Sequence, residues 1–184
     1  MINARSDYRY WGAMNKKHKP VLGFAAYSGT GKTTLIISLL PILQDKGLNV
    51  AMIKHAHHDF DIDMPGKDSY KLRKAGASQV LIASNYRRAL ITETPEGEEP
   101  KLENLISDLD LEQVDLVLVE GFRHLPFPKI ELHRPSTEKE LIYIDDGNVI
   151  AIASDEHIST GNLPLLNLNN PQEIADFIQN WLME

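Results

Sequence analysis

Short apolar runs alternate with segments of helical periodicity along most of the chain. Each run is bounded by polar or turn-forming residues, which is the pattern of a buried β-strand. Strands are therefore predicted at 21–26, 49–54, 115–120, 129–133 and 149–153. Between and after them, apolar residues recur at helical spacing. Helices are predicted at 32–46, 68–75, 102–109 and 171–182.

Two further short runs, 80–83 and 89–92, flank the polar turn at 84–88 and predict an antiparallel hairpin. Strands that alternate with helices are typical of a parallel sheet covered by helices. The sequence therefore predicts an α/β fold with a mostly parallel sheet and one antiparallel hairpin.

Composition and length indicate one folded domain. The chain has 184 residues, of which 42% are hydrophobic and 24% are charged, and these are globular proportions. Residues 1–19 are polar and partly basic, so we expect a flexible N-terminal arm followed by one domain at 20–184.

The charge and the residue usage exclude several functional classes. A formal net charge of −7 argues against a general binder of nucleic acid or of an anionic membrane. The absence of cysteine excludes a disulfide scaffold, a thiolate metal site and a cysteine nucleophile. The chain also lacks an apolar run long enough for a membrane span, and we expect a cytoplasmic protein.

The loop between the first predicted strand and the first helix has the pattern of a phosphate-binding loop. Its sequence matches G-x-x-x-x-G-K-[ST] except that Ala26 replaces the first glycine. Gly29 and Gly31 can adopt backbone angles that turn successive N–H groups toward one anion. The helix that begins at Lys32 directs its positive dipole end to the same place. The nucleotide-binding residues predicted from this loop are Ser28, Gly29, Thr30, Gly31, Lys32, Thr33 and Thr34.

Each polar side chain of the loop has a predicted task. Lys32 supplies a positive charge to the β and γ phosphates and is a candidate catalytic residue, while Thr33 offers a hydroxyl to Mg²⁺. Glu120 ends the apolar run 115–120 and is predicted to lie near Mg²⁺, directly or through a water, as a Walker B-type acid. Thr33 and Glu120 are thus the predicted metal residues, and Glu120 is the second candidate catalytic residue.

The polar segment after the second strand supports more than one interpretation. Position favours a switch or substrate loop, because this segment leaves the same edge of the sheet as the phosphate loop. Clustered imidazoles also suit a transition-metal site, and a merely solvated loop remains the third possibility. The residues concerned are His55, His57, His58, Asp59, Asp61, Asp63, Lys67 and Asp68.

Five basic residues occur close together between positions 123 and 134. They suggest a surface patch for a phosphorylated ligand or an acidic partner, although solvated charge explains such a group equally well. The five are Arg123, His124, Lys129, His133 and Arg134.

Five segments in order along the chain closely resemble the MobB family, the molybdopterin-guanine dinucleotide biosynthesis adapter proteins. The second and third of them are far more family-specific than the phosphate loop. The segments are 24–34, 53–59, 65–77, 118–122 and 151–155.

The resemblance implies a homodimeric P-loop NTPase with a three-layer sandwich fold that binds GTP with Mg²⁺ and hydrolyses it weakly. It also implies a partner, a MobA-like guanylyltransferase that attaches GMP to molybdopterin for delivery to molybdoenzymes, and molybdopterin or a molybdoenzyme could contact the chain directly. No [NT]-K-x-D motif is present to recognise guanine. Asp155, which follows a predicted strand, is the candidate for that role.

Three functions are therefore open. The first is a GTP-binding accessory protein with slow hydrolysis, since no arginine finger or water-positioning glutamine is identifiable. The second is a small-molecule kinase, in which the stretch 123–134 would form a closing lid. The third is a metallochaperone GTPase that uses the clustered histidines.

Overall fold

A computed structural model describes residues 19–56, 60–94 and 98–184 of the chain. All but the last residue of the predicted N-terminal arm lies outside the described residues, as do His57, His58 and Asp59. The described chain divides into two compact units. Unit 2 is Ala56–Pro100, and unit 1 consists of the described residues before it together with Lys101–Glu184.

Unit 1 contains six strands, three α-helices and three short 3₁₀ turns. The strands are β1 (Val21–Ala25), β2 (Val50–Lys54), β5 (Leu116–Glu120), β6 (Lys129–His133), β7 (Val149–Ser154) and β8 (Leu165–Asn167). The helices are α1 (Lys32–Asp45), α3 (Leu102–Ser107) and α4 (Pro171–Met183), and the turns are Leu111–Gln113, Pro135–Thr137 and Ile142–Ile144. Unit 2 contains the helix α2 (Asp68–Lys74) and the strands β3 (Gln79–Ala83) and β4 (Arg88–Thr92).

The six strands of unit 1 form one parallel sheet in the order β2-β5-β1-β6-β7-β8. In unit 2, β3 and β4 pair antiparallel as a separate hairpin. The predicted α/β class is therefore confirmed. Strand β8 is an addition that the hydrophobic pattern did not predict.

Apolar residues cover both faces of the sheet in unit 1. One face packs against α1 and α4. Leu22, Leu118 and Ile130 of the sheet contribute to this core with Leu39 and Ile174 of the helices, and all five are fully buried. The opposite face packs against α3 and the turn after it, with Val117, Val119, Leu102 and Ile106 at its centre. Because side chains of a strand point alternately to its two faces, a strand buried on both faces shows a continuous apolar run, as β5 does.

Helix α1 begins and ends close to the predicted positions. Leu35, Ile36, Leu39 and Leu43 form its buried stripe, and the helix continues through Pro41. Gly47, at φ 82°, adopts the left-handed conformation directly after the helix, and its N–H donates to the carbonyl of Gln44 at 2.8 Å. A glycine there ends the helix as the sequence predicts.

Strand β6 carries charged side chains on the face of the sheet opposite to α1 and α4. Ile130 and Leu132 face the core, while Lys129 and Glu131 alternate with them and are 1% and 0% exposed. The ammonium group of Lys129 donates to the carbonyl of Leu125 at 2.6 Å and to Asp146 at 2.9 Å. The carboxylate of Glu131 accepts the backbone N–H groups of Ile142 and Tyr143 at 2.8 and 2.9 Å. These bonds attach the 135–146 segment to the sheet.

Burial sets the direction of the pKa shift for Lys129 and Glu131. Burial lowers the pKa of Lys129 despite its bond to Asp146, and burial raises the pKa of Glu131 despite the two N–H donors. Burial alone would raise the pKa of Asp146 as well, but hydrogen bonds from Lys129 and Asn148 outweigh it and lower that pKa.

Unit 2 has almost no interior of its own. Among its described residues only Asp63 is buried, at 8% exposure, and no apolar side chain is. Eight large apolar side chains are exposed instead: Phe60, Ile62, Met64, Leu72, Leu81, Ile82, Tyr86 and Leu90. Arg73 connects the parts of the unit, because its guanidinium pairs with Asp61 and with Glu93.

Within the described part of the chain, no helix is long and apolar enough to cross a membrane.

Gly23 in the centre of β1 is required by close packing. A Cβ at this position would lie 2.5 Å from Cε2 of Phe127, whose side chain is fully buried. We expect Gly23→Ala to lower the free energy of unfolding by about 1–3 kcal/mol through overpacking. Urea denaturation would measure the change. Gly147→Ala is the matched control, since a Cβ there meets nothing within 4 Å, and an equal loss in both variants would contradict this account.

Candidate nucleotide-binding site

The loop that joins β1 to α1 turns twice through the left-handed region. Gly29 has φ 86° and Gly31 has φ 94°, conformations that favour glycine. Thr30 between them is 2% exposed, and its hydroxyl donates to the carbonyl of Tyr27 at 2.9 Å. This hydrogen bond lies within the loop and contributes to its shape.

The first turn of α1 leaves its N–H groups available to a ligand. Gly31 is the N-cap residue, and no side chain among the described residues caps the helix. The first turn also contains no acidic residue, so nothing within it neutralises the positive end of the helix dipole. Thr33 and Thr34 are exposed in this turn. This is the geometry in which a loop and a helix bind phosphate oxygens.

Lys32 and Glu120 meet at the carboxyl edge of the sheet. The ammonium nitrogen of Lys32 lies 3.6 Å from Oε1 of Glu120. The ammonium nitrogen of Lys54, opposite Glu120 in the β2–β5 register, lies 3.3 Å from Oε2 of the same carboxylate. Two ammonium groups and one carboxylate leave a local positive charge in a chain of net charge −7. That local charge favours an anionic ligand.

The chain turns sharply after Glu120. Gly121 has φ 109°, and a Cβ there would lie 2.5 Å from Cβ of His55. Phe122 has φ 51°, which is rare for an aromatic residue, and its ring stacks on His55 with centroids 4.6 Å apart. The backbone N–H of His55 donates to the carbonyl of Glu120 at 2.8 Å. His55 is therefore held against the end of β5.

Arg134 directly follows β6, which pairs with β1, and its side chain contacts the phosphate loop. Its Nε donates to the carbonyl of Thr30 at 2.9 Å, and its Nη1 lies 2.5 Å from Oδ2 of Asp155. Asp155 follows β7, so the guanidinium joins two neighbouring strand ends. Asp155 also lines a cavity of about 290 Å³ with Ser154, His157, Leu166 and Asn167.

The predicted basic patch at 123–134 is not a patch. Lys129 and His133 are 1% and 7% exposed, because β6 is buried on both of its faces. Arg134 is paired with Asp155, and Arg123 lies over the ring of Tyr27 at 5.8 Å. The patch was predicted because the five basic residues are close in sequence, but two of them lie in a buried strand.

The described residues of the predicted switch or substrate loop have local partners. Asp63 accepts the hydroxyl of Ser69 at 2.7 Å, and Asp61 pairs with Arg73. Lys67 is the N-cap residue of α2. Asp68 is the first helical residue of α2, and no side chain makes a cap hydrogen bond there. All four lie in unit 2, and their role toward a ligand stays a prediction.

No group of three His, Cys, Asp or Glu side chains in residues 19–56, 60–94 and 98–184 could hold a metal ion by itself. Three members of the predicted transition-metal cluster, His57, His58 and Asp59, are outside those ranges.

Comparison with known families confirms the resemblance carried by the five segments. Residues 21–155 match the family model MobB, described as molybdopterin guanine dinucleotide synthesis protein B. The chain belongs to the MobB family. The match includes the phosphate loop, Glu120, Arg134 and Asp155.

Curated relatives extend the similarity over nearly the whole chain. The chain is 48% identical over 171 residues to the molybdopterin-guanine dinucleotide biosynthesis adapter protein of Escherichia coli (strain K12), covering 90% of this chain and 94% of that one. It is 45% identical over 163 residues to the adapter protein of the same name from Haemophilus influenzae, covering 89% of each.

Solved structures agree with the fold. The crystal structure of a molybdopterin-guanine biosynthesis protein B (MobB) superposes with a TM-score of 0.69 at 31% identity and covers 89% of this chain and 99% of its own. A crystal structure of Bacillus subtilis MobB superposes with a TM-score of 0.67 at 25% identity and covers 88% and 96%. This MobB-family chain therefore has the P-loop type of parallel sheet predicted from its sequence.

Two contributors to the site were not predicted in these roles. Lys54 ends β2 opposite Glu120, and the structure pairs its ammonium group with that carboxylate. Arg134 was assigned to the basic patch, whereas it bonds to the phosphate loop itself. Its position directly after a buried strand, at the edge where the loop lies, is the signal that identifies it.

Proposed function

We propose that this protein is a GTP-binding adapter that assists a MobA-like guanylyltransferase in forming molybdopterin guanine dinucleotide. The relatives carry this adapter role in their names. The observation that carries the nucleotide part is the uncapped first turn of α1, which follows the left-handed Gly29 and Gly31. This arrangement presents N–H donors to a polyphosphate.

Lys32 exchanges partners when the nucleotide binds. In the structure it is paired with Glu120 at 3.6 Å and is only partly exposed. Phosphate oxygens bring more negative charge than one carboxylate, so the ammonium group moves to the β and γ phosphates. Glu120 keeps Lys54 as its counter-ion at 3.3 Å.

The residues present fit a magnesium ion. Mg²⁺ is bound in nucleotide sites by one or two carboxylates or hydroxyls together with substrate phosphates, so a three-residue protein cluster is unnecessary. Thr33 and Glu120 supply such oxygen donors at one edge of the sheet. The ion, when bound, neutralises charge that develops on the phosphates.

The partners of the two arginine side chains in the described part of unit 1 support the proposal of slow hydrolysis. Unit 1 contains two arginines in its described part, Arg123 and Arg134. Arg123 lies over Tyr27, and Arg134 is committed to Thr30 and Asp155. Neither is available as an arginine finger, a group worth about 10³–10⁵ in rate. For the same reason a closing arginine lid, which the kinase alternative requires, is not favoured.

Guanine selectivity is assigned to Asp155. A carboxylate only accepts hydrogen bonds, and guanine presents N–H donors at N1 and N2 where adenine presents an acceptor at N1. The cavity beside Asp155 lies at the carboxyl edge of the same sheet as the loop. Ligands of open α/β sheets bind at this edge.

Self-association is assigned to unit 2. A 45-residue segment that buries no apolar side chain among its described residues cannot stabilise itself by hydrophobic burial. Leu81 and Leu90 are directly paired across the hairpin and are 63% and 53% exposed. Covering them with a second copy of the chain would remove this apolar surface from water.

Molybdopterin or a molybdoenzyme remains a further proposed partner.

Lys32→Ala tests the proposed function directly. We expect GTP affinity to fall by about a hundredfold, because a charge-assisted contact is lost, while the fold remains intact. Calorimetry with Mg²⁺-GTP would measure the affinity, and stimulation of a MobA-like partner should fall with it. Lys101→Ala, at an exposed lysine, is the control. Undiminished GTP affinity in Lys32→Ala would refute the assignment of the loop.

Glu120→Gln separates binding from hydrolysis. The variant keeps the shape of the side chain and removes its charge, so we expect Mg²⁺-dependent GTP hydrolysis to fall by about tenfold or more. GTP affinity should stay level or rise, since Lys32 no longer has a competing carboxylate. Phosphate release and calorimetry give the two values. If both fall in parallel, Glu120 serves binding alone.

Leu90→Asp tests the association surface. A charge opposite Leu81 should convert the dimer to a monomer, as measured by sedimentation equilibrium. Ile37→Asp is the matched control, because Ile37 is 66% exposed on α1 in unit 1. A monomeric parent protein, or equal dissociation in both variants, would count against unit 2 as the interface.

A further inference from the structure

Arg134 lies where the phosphate loop and the end of β7 come together. Its guanidinium makes three polar contacts in unit 1: with the carbonyl of Thr30 at 2.9 Å, with Oδ2 of Asp155 at 2.5 Å and with Oδ1 of Asn169 at 3.5 Å. The side chain is 29% exposed. A planar guanidinium has five donors in a fixed arrangement, so it sets the relative position of its acceptors in a way that a flexible ammonium group does not.

The contact with Thr30 orients an amide of the phosphate loop. In a trans peptide the C=O of one residue and the N–H of the next point in opposite directions. Since Arg134 holds the carbonyl of Thr30, the N–H of Gly31 points away from Arg134. Gly31 has no side chain to resist rotation of this peptide, and its φ of 94° is open to few other residues. The arginine therefore restrains the peptide that joins Thr30 to Gly31.

The contact with Asp155 orients the carboxylate at the cavity. Oδ2 is occupied by Arg134, whereas Oδ1 is shielded from solvent and has no hydrogen-bond partner among the described residues. A shielded carboxylate oxygen without a donor is costly, so Asp155 has an unsatisfied acceptor beside the cavity that it lines.

We infer that Arg134 is a positioning residue that couples the phosphate loop to the recognition of the purine base. It fixes the direction of the Gly31 amide with Nε and the direction of the Asp155 carboxylate with Nη1. Phosphate affinity and the choice of guanine over adenine therefore depend on the same side chain. This inference rests on the proposed function, in which the loop binds the phosphates and Asp155 recognises the base.

Calorimetry with Mg²⁺-GTP and Mg²⁺-ATP tests the coupling. The quantity of interest is the dissociation constant for ATP divided by that for GTP, because damage to the phosphate loop alone weakens both nucleotides equally and leaves this ratio unchanged. We expect Arg134→Gln to weaken GTP binding by about tenfold more than ATP binding, the effect of one lost charge-assisted contact. Asp155→Asn should lower the ratio similarly, and the double variant should lower it no further.

Two more variants keep the test decisive. Arg134→Lys preserves the charge but not the fixed arrangement of donors, so it should lose selectivity while keeping a normal melting temperature. Lys139→Gln removes an exposed positive charge from the same segment and should leave the ratio unchanged. Equal weakening of both nucleotides in Arg134→Gln and Arg134→Lys overturns the inference and leaves the proposed function intact. If the unaltered protein binds neither nucleotide, or if Lys32→Ala binds GTP as the unaltered protein does, the proposed function fails with it.

Discussion

The common register of β1, β5 and β2 is the constraint on which the rest of the site depends. In this parallel arrangement Phe24 pairs with Glu120, and Glu120 pairs with Lys54. The three strands therefore end at one level, and the segments that leave them begin side by side. The phosphate loop, the acid and the stacked pair of His55 and Phe122 are neighbours for this reason. A shift of one residue in any of these pairings would turn their side chains to the opposite face.

Parallel pairing also explains which parts of the fold the sequence predicts well. Strands buried on both faces appear as continuous apolar runs, and β6 was predicted with the bounds that the structure has. Strand β8 was missed because it has three residues, Leu165–Asn167, and sits at the edge of the sheet. A run so short has no periodicity to detect.

The candidate site also contains residues that the sequence predicts and residues that it does not. The glycine loop and Glu120 were predicted because their residue types are tied to a strand end, and the structure brings Lys32 and Glu120 together. The position of Arg134 depends on the neighbouring strand β7, since its partner Asp155 is distant in sequence. The pairing itself leaves no local pattern, although the place of Arg134 directly after a buried strand is visible in the sequence. The charges of β6 were misinterpreted because Lys129 is neutralised by Asp146, which lies in a later segment.

The composition of Ala56–Pro100 has a consequence for how the chain tolerates change. Elsewhere, an interior of interlocking side chains makes most large substitutions costly. In this segment a polar framework around Arg73 provides the internal order, and its apolar groups face outward. Natural sequence variation should thus be restricted at the few residues that form these ion pairs. At the exposed apolar positions, the residues that are accepted should depend on what binds to that surface.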